Sequence, residues 1–560
     1  MKQANRRIRL LLAVFVIVFA AALARAAWLQ GVRASSLAAR ATAQHRQPVT
    51  LPAGRGTIYD RMGFQMAIGE QATTVYADPQ EVRDPRGVAV AASKILGVEP
   101  DGLYRQLLDK RKRFVYIQRK ADPLKAARLK ARKLVGVGFY AEERRTYPQG
   151  SVAAQVLGFA GTDNEGIAGI EKQYDRYLVG KPGFEVVVKD PVGRALDVIS
   201  SRPAREGRDL YLTIDHTMQA YAEQVLRDTV RKWGATGATA IALDPHTGAI
   251  YTMASTPGFD PNRFWKSSLA AQRNRAVTDV YEPGSTFKLV TVAGVLSEQL
   301  VSPFTTFRLP YEIEVADRVI HDAERRPTET MSVAKILTHS SNVGAITLAQ
   351  KLLGPERLTS WIDRFGFGRP TGIDFPGESA GLVIPLEKWS GSTIGNVPIG
   401  QGIAVSPVQM AAAYAAIANG GVWRQPHLVE RISGVPPSKV GSRRIVSRTV
   451  AAQLRAMLTG VVATGTGTYA QIPGYKVAGK TGTAEKPDGH GGYGGGYVSS
   501  FVGFVPASNP KLVVLVMVDN PHGVIWGGVV AAPAFRDIAK FDLQYLEIPP
   551  DAPETSPSSR

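Results

Sequence analysis

The sequence predicts an α+β protein with a membrane-crossing N-terminal helix, a mixed α/β domain, and a C-terminal domain built on an antiparallel sheet. Three observations carry this expectation. Residues 10–29 form an apolar run of 20 residues interrupted only by Arg25. From residue 54 to about 205, short strand-like runs alternate with basic helical ones. Beyond residue 209, strands lie at both ends of a long and mainly helical region. At 560 residues the chain exceeds one ordinary core, so two or three domains are expected.

Composition narrows the chemistry. The chain is 44% hydrophobic and 21% charged, which marks a folded protein. It has no cysteine, which excludes disulfides, thiolate nucleophiles and Cys-ligated metals. Its eight histidines are scattered without a His-Glu-x-x-His spacing, so no metal and no cofactor is expected. The formal charge is +19, and residues 101–150 alone hold 14 Lys/Arg against 5 Asp/Glu, a net of +9. Such a stretch reads either as a solvated helical face or as a nucleic-acid or membrane surface.

The N-terminus decides between these. Lys2, Arg6, Arg7 and Arg9 precede the apolar run. Twenty residues of helix span about 30 Å, enough to cross a bilayer. Positive charge stays inside, so residues 1–7 are expected in the cytoplasm, 8–29 in the membrane, and the bulk outside it. Ala22-Leu23-Ala24 also offers the small-x-small pattern of a cleaved leader. On either reading the bulk is exported, which argues against nucleic acid as a partner.

Residues 30–208 read as a non-catalytic spacer, and residues 54–63 in it as a strand between turn signals. The catalytic-type domain is expected over 209–547. It opens with a strand at 211–214, then Asp215 as N-cap of a helix carrying Met218, Tyr221, Ala222, Val225 and Leu226. Strands at 239–243 and 249–254 flank the hairpin signal Asp244-Pro245-His246-Thr247-Gly248. Three further strands are expected at 475–483, 498–505 and 511–518. Residues 548–560, rich in Pro, Ser, Asp and Glu, read as a disordered tail.

Three motifs carry the chemistry. In Glu282-Pro283-Gly284-Ser285-Thr286-Phe287-Lys288, Pro283 and Gly284 break the backbone and Ser285 opens a helix. Ser285 and Lys288 then lie one turn apart on the same face, as a nucleophile and its base require. Ser340-Ser341-Asn342 begins 55 residues later, and Lys480-Thr481-Gly482-Thr483 begins 140 residues after that. Each motif alone is cheap. Ser-x-x-Lys recurs at Ser332-Val333-Ala334-Lys335, where Ser332 reads as a helix cap. Gly474-x-x-x-x-Gly479-Lys480-Thr481 also matches a phosphate-binding loop letter for letter. That loop needs a strand before it and a helix after it. Here residues 486–496 hold six Gly and a Pro, so no nucleotide site is expected.

An alcohol is a poor nucleophile until a base takes its proton. Lys288 serves only when neutral, and burial, a Lys480 cation and the helix dipole would all lower its pKa. Ser340 can relay a proton to a leaving nitrogen. Asn342 offers both a donor and an acceptor. Lys480, Thr481 and Thr483, with Gly482 between them, can bind a carboxylate. The N–H groups of Ser285 and Thr483 are the candidate oxyanion hole.

Ser-x-x-Lys with Lys-Thr-Gly is the signature shared by penicillin-binding proteins and class A β-lactamases. The chain resembles the class B penicillin-binding proteins, membrane-anchored peptidoglycan D,D-transpeptidases, over nearly its whole length. The resemblance rests on the anchor, Arg55-Gly56-x-Ile58-x-Asp60-Arg61-x-Gly63, Asn274-Arg275-Ala276, and the three motifs. Met62 replaces the usual Asn of the first box. Val498-Ser499-Ser500-Phe501-Val502-Gly503-Phe504 looks more like the division branch than the elongation branch, which commonly has His-Ala-Trp-Phe there.

The resemblance implies a five-stranded antiparallel sheet with helices on both sides. It also implies a Ser285 acyl-enzyme formed from D-Ala-D-Ala stem peptides or from β-lactams. It implies work beside a SEDS-family glycosyltransferase and other divisome proteins. A carboxypeptidase or β-lactamase-like hydrolase shares the motifs, and a scaffold that activates the glycosyltransferase is the non-enzymatic alternative.

Overall fold

The computed structural model describes residues 2–36, 46–189, 195–488 and 492–552. They divide into two compact units. One comprises residues 1–54 and 180–207. Its N-terminal helix Lys2–Ala27 continues as a π-turn over Trp28–Val32, and Leu11, Phe15 and Phe19 on it are exposed. Thirty-one residues make the helix long and apolar enough to cross a membrane. The same unit holds a three-stranded antiparallel sheet, Arg46–Leu51, Gly183–Lys189 and Ala195–Arg202 in that order. Residues 37–45 of the expected spacer lie outside the described residues.

The second unit, residues 55–179 and 208–560, contains two larger sheets. In the first, the long strand Gln65–Ala77 pairs with Ile58–Tyr59, Val115–Ala121 and Val137–Thr146. Helices Pro85–Leu96, Pro100–Leu108 and Pro123–Lys130 pack on it through Val88, Ala92, Leu103, Leu107 and Leu129. Each begins with proline after an acidic cap. Asp84, Glu99 and Asp122 accept the N–H groups that the first turn leaves open, and proline has none to lose.

The strand expected over residues 54–63 shrinks to Ile58–Tyr59, because the segment is a joint. Arg55 is buried between Glu171 and Asp175, both at 2.7 Å, and Arg145 reaches the same Glu171 at 2.6 Å. Asp60 closes a turn by accepting Met62 N–H and Phe64 N–H, and it pairs with His216 Nδ1 at 2.6 Å. The strand expected at 211–214 runs Leu210–Leu212 and stays out of the C-terminal sheet. It lies parallel to Ile58–Tyr59 and antiparallel to Val429–Ile432. The chain turns away at Asp215, which caps helix His216–Trp233 by accepting Thr217 N–H and Met218 N–H.

The second sheet is five-stranded and wholly antiparallel. Its order is Ile250–Thr256, Gly237–Leu243, Leu512–Asp519, Tyr493–Val505, Ala478–Pro487. Both ends of the domain therefore supply it, as the strand pattern predicts. Helices His216–Trp233 and Ala532–Tyr545 cover one face through Met218, Leu226, Phe535 and Ile538. Against the other face pack the buried helices Lys288–Ser297 and Pro407–Ala418. With both faces covered, every residue of Gly237–Leu243 is buried and its sequence is apolar but for Thr239. Of the tail expected to be disordered, Asp551 accepts Lys476 N–H and Ser508 N–H, and residues 553–560 lie outside the described residues.

Candidate active site

Ser285 sits in a 3₁₀ turn, Gly284–Phe287, and the α-helix proper begins at Lys288. The expected helix thus starts with a tighter turn, closed by Lys288 N–H donating to Ser285 O. In 3₁₀ geometry side chains three apart eclipse, so Ser285 and Lys288 are aligned more closely than on an α-helix. Gly284 makes the turn possible. Its φ is +54°, and a Cβ there would stand 2.6 Å from Thr483 O. Tyr414, fully buried, braces the turn by donating to Thr286 O at 2.9 Å. Ser285 is half-buried, and its hydroxyl has no hydrogen-bond partner among the described residues.

Ser340 follows helix Val333–Thr338, which Ser332 caps by accepting Lys335 N–H at 3.1 Å. That makes Ser332-x-x-Lys335 structural, and Lys335 pairs instead with Glu329 at 2.7 Å. The helix ends as a Schellman motif: Ser340 N–H donates to Leu337 O and Ser341 N–H to Ile336 O. Its left-handed position, where glycine is usual, is taken by Ser340 with φ +59°. A non-glycine residue held there is strained by about 1–2 kcal/mol. Lys288 Nζ donates to Asn342 Oδ1 at 2.7 Å, to Ser340 Oγ at 3.3 Å, and to Ser340 O. Asn342 Nδ2 donates to His321 O at 3.0 Å.

Lys480 lies on the edge strand Ala478–Pro487, opposite Val502. A strand occupies the place where a phosphate-binding loop would be, so the nucleotide pattern is coincidental. Lys480 Nζ donates to Ser340 Oγ at 2.9 Å and to Thr481 O and Oγ1 at 3.2 Å. The strand approaches the Ser285 turn so closely that a Cβ on Gly482 would lie 2.9 Å from Pro283 O and 2.4 Å from Ser500 Oγ. Thr483 Oγ1 accepts Gly527 N–H at 3.0 Å. The three motifs thus meet: the Lys480 strand packs on the Ser285 turn, and Ser340 Oγ is the atom on which Lys288 and Lys480 both close.

Sequence reasoning missed two members. Asp322 is buried, and its carboxylate accepts Ser341 Oγ at 3.0 Å, Asn342 N–H at 2.5 Å and Val343 N–H at 3.0 Å, while pairing with Arg326 at 2.6 Å. It fastens the Ser-Ser-Asn segment from outside. Thr466 Oγ1 bonds Thr481 Oγ1 at 2.7 Å. Neither had a local signal: each is one polar residue in a polar stretch, given meaning by contacts across 15 or more residues.

Both site lysines are fully buried. Burial pulls Lys288 down to about 7, and the Asp322 carboxylate opposes this. Burial first, and the Lys288 charge second, hold Lys480 well below the usual lysine range. Two amines around one hydroxyl titrate together, and the pair carries fewer than two protons near neutral pH.

Comparison with known proteins identifies the family. Residues 238–540 match the penicillin binding protein transpeptidase domain, and residues 50–212 match the penicillin-binding protein dimerisation domain. The peptidoglycan D,D-transpeptidase FtsI of Escherichia coli K12 is 33% identical over 554 residues, covering 98% of this chain and 93% of the relative. Stage V sporulation protein D of Bacillus subtilis is 34% identical, covering 98% and 86%. A crystal structure of penicillin binding protein 3 from Mycobacterium tuberculosis complexed with aztreonam superposes with a TM-score of 0.70 at 30% identity, covering 91% of this chain and 100% of that one.

Proposed function

The chain belongs to the class B penicillin-binding proteins, and from that premise we propose a septal peptidoglycan D,D-transpeptidase that works through an acyl-enzyme on Ser285. The observation that carries it is Ser340 Oγ held between Lys480 Nζ at 2.9 Å and Lys288 Nζ at 3.3 Å, one turn from an unpartnered Ser285. Neutral Lys288 takes the Ser285 proton as Oγ attacks the penultimate D-Ala carbonyl of a stem peptide. The oxyanion is held by Ser285 N–H and Thr483 N–H. Ser340 passes the proton to the departing D-Ala nitrogen. An amine of a second stem then attacks the acyl-Ser285, its proton returns by the same route, and a cross-link replaces the ester. Asn342 orients Lys288 and the substrate amide, and Lys480 with Thr481, Gly482 and Thr483 receives the terminal carboxylate. A β-lactam acylates the same oxygen.

Residues 8–29 serve as a single-pass membrane anchor with the N-terminus in the cytoplasm, supported by the basic residues before the run. Residues 30–208 form the pedestal and 209–547 the transpeptidase domain. The Val498-Ser499-Ser500-Phe501 segment favours the division branch, and with it a SEDS-family glycosyltransferase and other divisome proteins as partners. A product assay with two labelled stem pentapeptides tests the reading. Cross-linked dimer that disappears with Ser285→Ala supports it, and tetrapeptide alone makes the protein a carboxypeptidase. Full replacement of the parent in cells by Ser285→Ala leaves only the scaffold.

A further inference from the structure

A large concavity lies away from the acylating serine. Its volume is about 1120 Å³, and none of the three motifs lines it. The hairpin between Gly237–Leu243 and Ile250–Thr256 contributes Asp244 to Tyr251 to its wall. Ile250–Thr256 is the edge of the sheet opposite the Lys480 strand, four strand spacings away, or about 19 Å at 4.8 Å each.

Its lining is unusual in charge. Arg61 lies over the ring of Tyr251 at 4.5 Å, Arg176 over Tyr177 at 4.6 Å, and Arg431 over Tyr211 at 3.2 Å. Among the described residues no carboxylate lies within ion-pair distance of Arg176, Arg424 or Arg431, and Arg61 reaches only Asp215, at 3.5 Å. Arg424 Nε is buried with no partner. A buried unpaired donor carries a desolvation penalty that a ligand relieves. Of the three acids in the lining, Asp374 accepts Leu428 N–H, Val429 N–H and Tyr174 OH, and Asp244 accepts His246 N–H. Glu430 lines the groove as well, with no hydrogen bond or ion pair to its carboxylate among the described residues.

Arg431, laid on Tyr211, has no hydrogen-bond or ion-pair partner for its guanidinium among the described residues, while Arg176 spends one N–H on Tyr177 OH at 3.0 Å and Arg61 faces Asp215. Guanidinium edges left open in this way suit bidentate capture of carboxylates. The volume exceeds the usual range for a single small molecule, about 300–1,000 Å³, and suits a stretch of polymer.

We propose that this groove is a second binding site for an acidic glycan–peptide strand, the polymer on which the chain acts, held apart from the acylating serine. The inference rests on the functional reading above for the identity of the polymer, but not for the existence of the site. Its arginines take the stem carboxylates.

The test uses the full-length protein in neutral detergent, with Ser285 first blocked by penicillin. Soluble uncross-linked peptidoglycan fragments with free carboxylates are the probe, titrated by calorimetry. The blocked protein is expected to bind them. Binding should weaken at least about tenfold in an Arg176→Gln, Arg431→Gln variant and with fragments whose carboxylates are amidated. Penicillin acylation of that variant at the parent rate shows that its fold and active site are intact. Loss of all binding on acylation, or equal binding by the variant, overturns the proposal. So does capture of anionic lipid vesicles, in place of the fragments, through the same arginines. Fragment binding through the arginines in a protein that penicillin never acylates would keep the groove and sink the functional reading instead.

Discussion

Lys480 Nζ donates to Ser340 Oγ at 2.9 Å, so the third motif is wired to the second through one hydrogen bond across 140 residues. Lys288 reaches the same oxygen from the helix side at 3.3 Å. Ser340 is thereby the junction of two buried amines, and the proton traffic of the site runs through it.

Lys288, lowered to about 7 by burial, makes acylation pH-dependent. The base must be neutral, so the acylation rate constant with penicillin should rise up to about tenfold per pH unit below 7 and level off above it. Stability follows with its own sign. Because the folded pKa is depressed, the unfolded chain binds more protons between about 7 and 10.5. The contribution of Lys288 to stability is therefore smallest below pH 7 and grows across that window. Stopped-flow acylation and denaturant unfolding across pH check the two together.

Ser340→Gly separates fold from chemistry. Glycine relieves the left-handed strain at φ +59°, so the variant should be more stable by about 1 kcal/mol. With the relay hydroxyl gone, acylation should slow by about 10²–10⁴-fold. Ser340→Ala should lose activity equally without the gain in stability. Unfolding curves beside acylation rates measure both.

Asp322→Asn removes the carboxylate that holds Lys288 up and that pairs with Arg326. Lys288 should fall further and the acidic limb of the pH profile should move to lower pH. Stability should drop by about 3 kcal/mol, since a buried partner of Arg326 and of the Ser341–Val343 segment is weakened. An unmoved limb with lower stability would make Asp322 a merely structural support.

Lys480→Arg should lose less than Lys480→Ala, yet still lose clearly. The residue is fully buried beside Gly482, where a Cβ already meets Ser500 Oγ at 2.4 Å, so the wider guanidinium has no room. Loss of the charge-assisted contact in Lys480→Ala should slow acylation about 10- to 100-fold, or about 1.5–3 kcal/mol. Neither variant should bind nucleotide. Rates equal to the parent would remove Lys480 from the mechanism.

Much of this was legible because it is local. Caps at Asp215 and Ser332, the hairpin at residues 244–248 and the five strands of the catalytic sheet leave patterns within a few residues. The three motifs were legible because their order and residue types fit a single chemistry. The 3₁₀ start of the Ser285 helix was not, since its tightness comes from packing against Thr483 O and Tyr414. The pairing of Leu210–Leu212 with Ile58–Tyr59 was hidden for a similar reason: its partner lies about 150 residues earlier. Asp322 looked like any loop aspartate, because its role exists only once the Ser-Ser-Asn segment is folded onto it.

The central claim is that Ser285 is the acylated nucleophile. Peptide-mapping mass spectrometry of the folded protein after penicillin treatment tests it most directly. The account predicts one penicilloyl adduct, on the peptide containing Ser285, absent in Ser285→Ala. An adduct on Ser332 or Ser340, or none on folded protein, would contradict it.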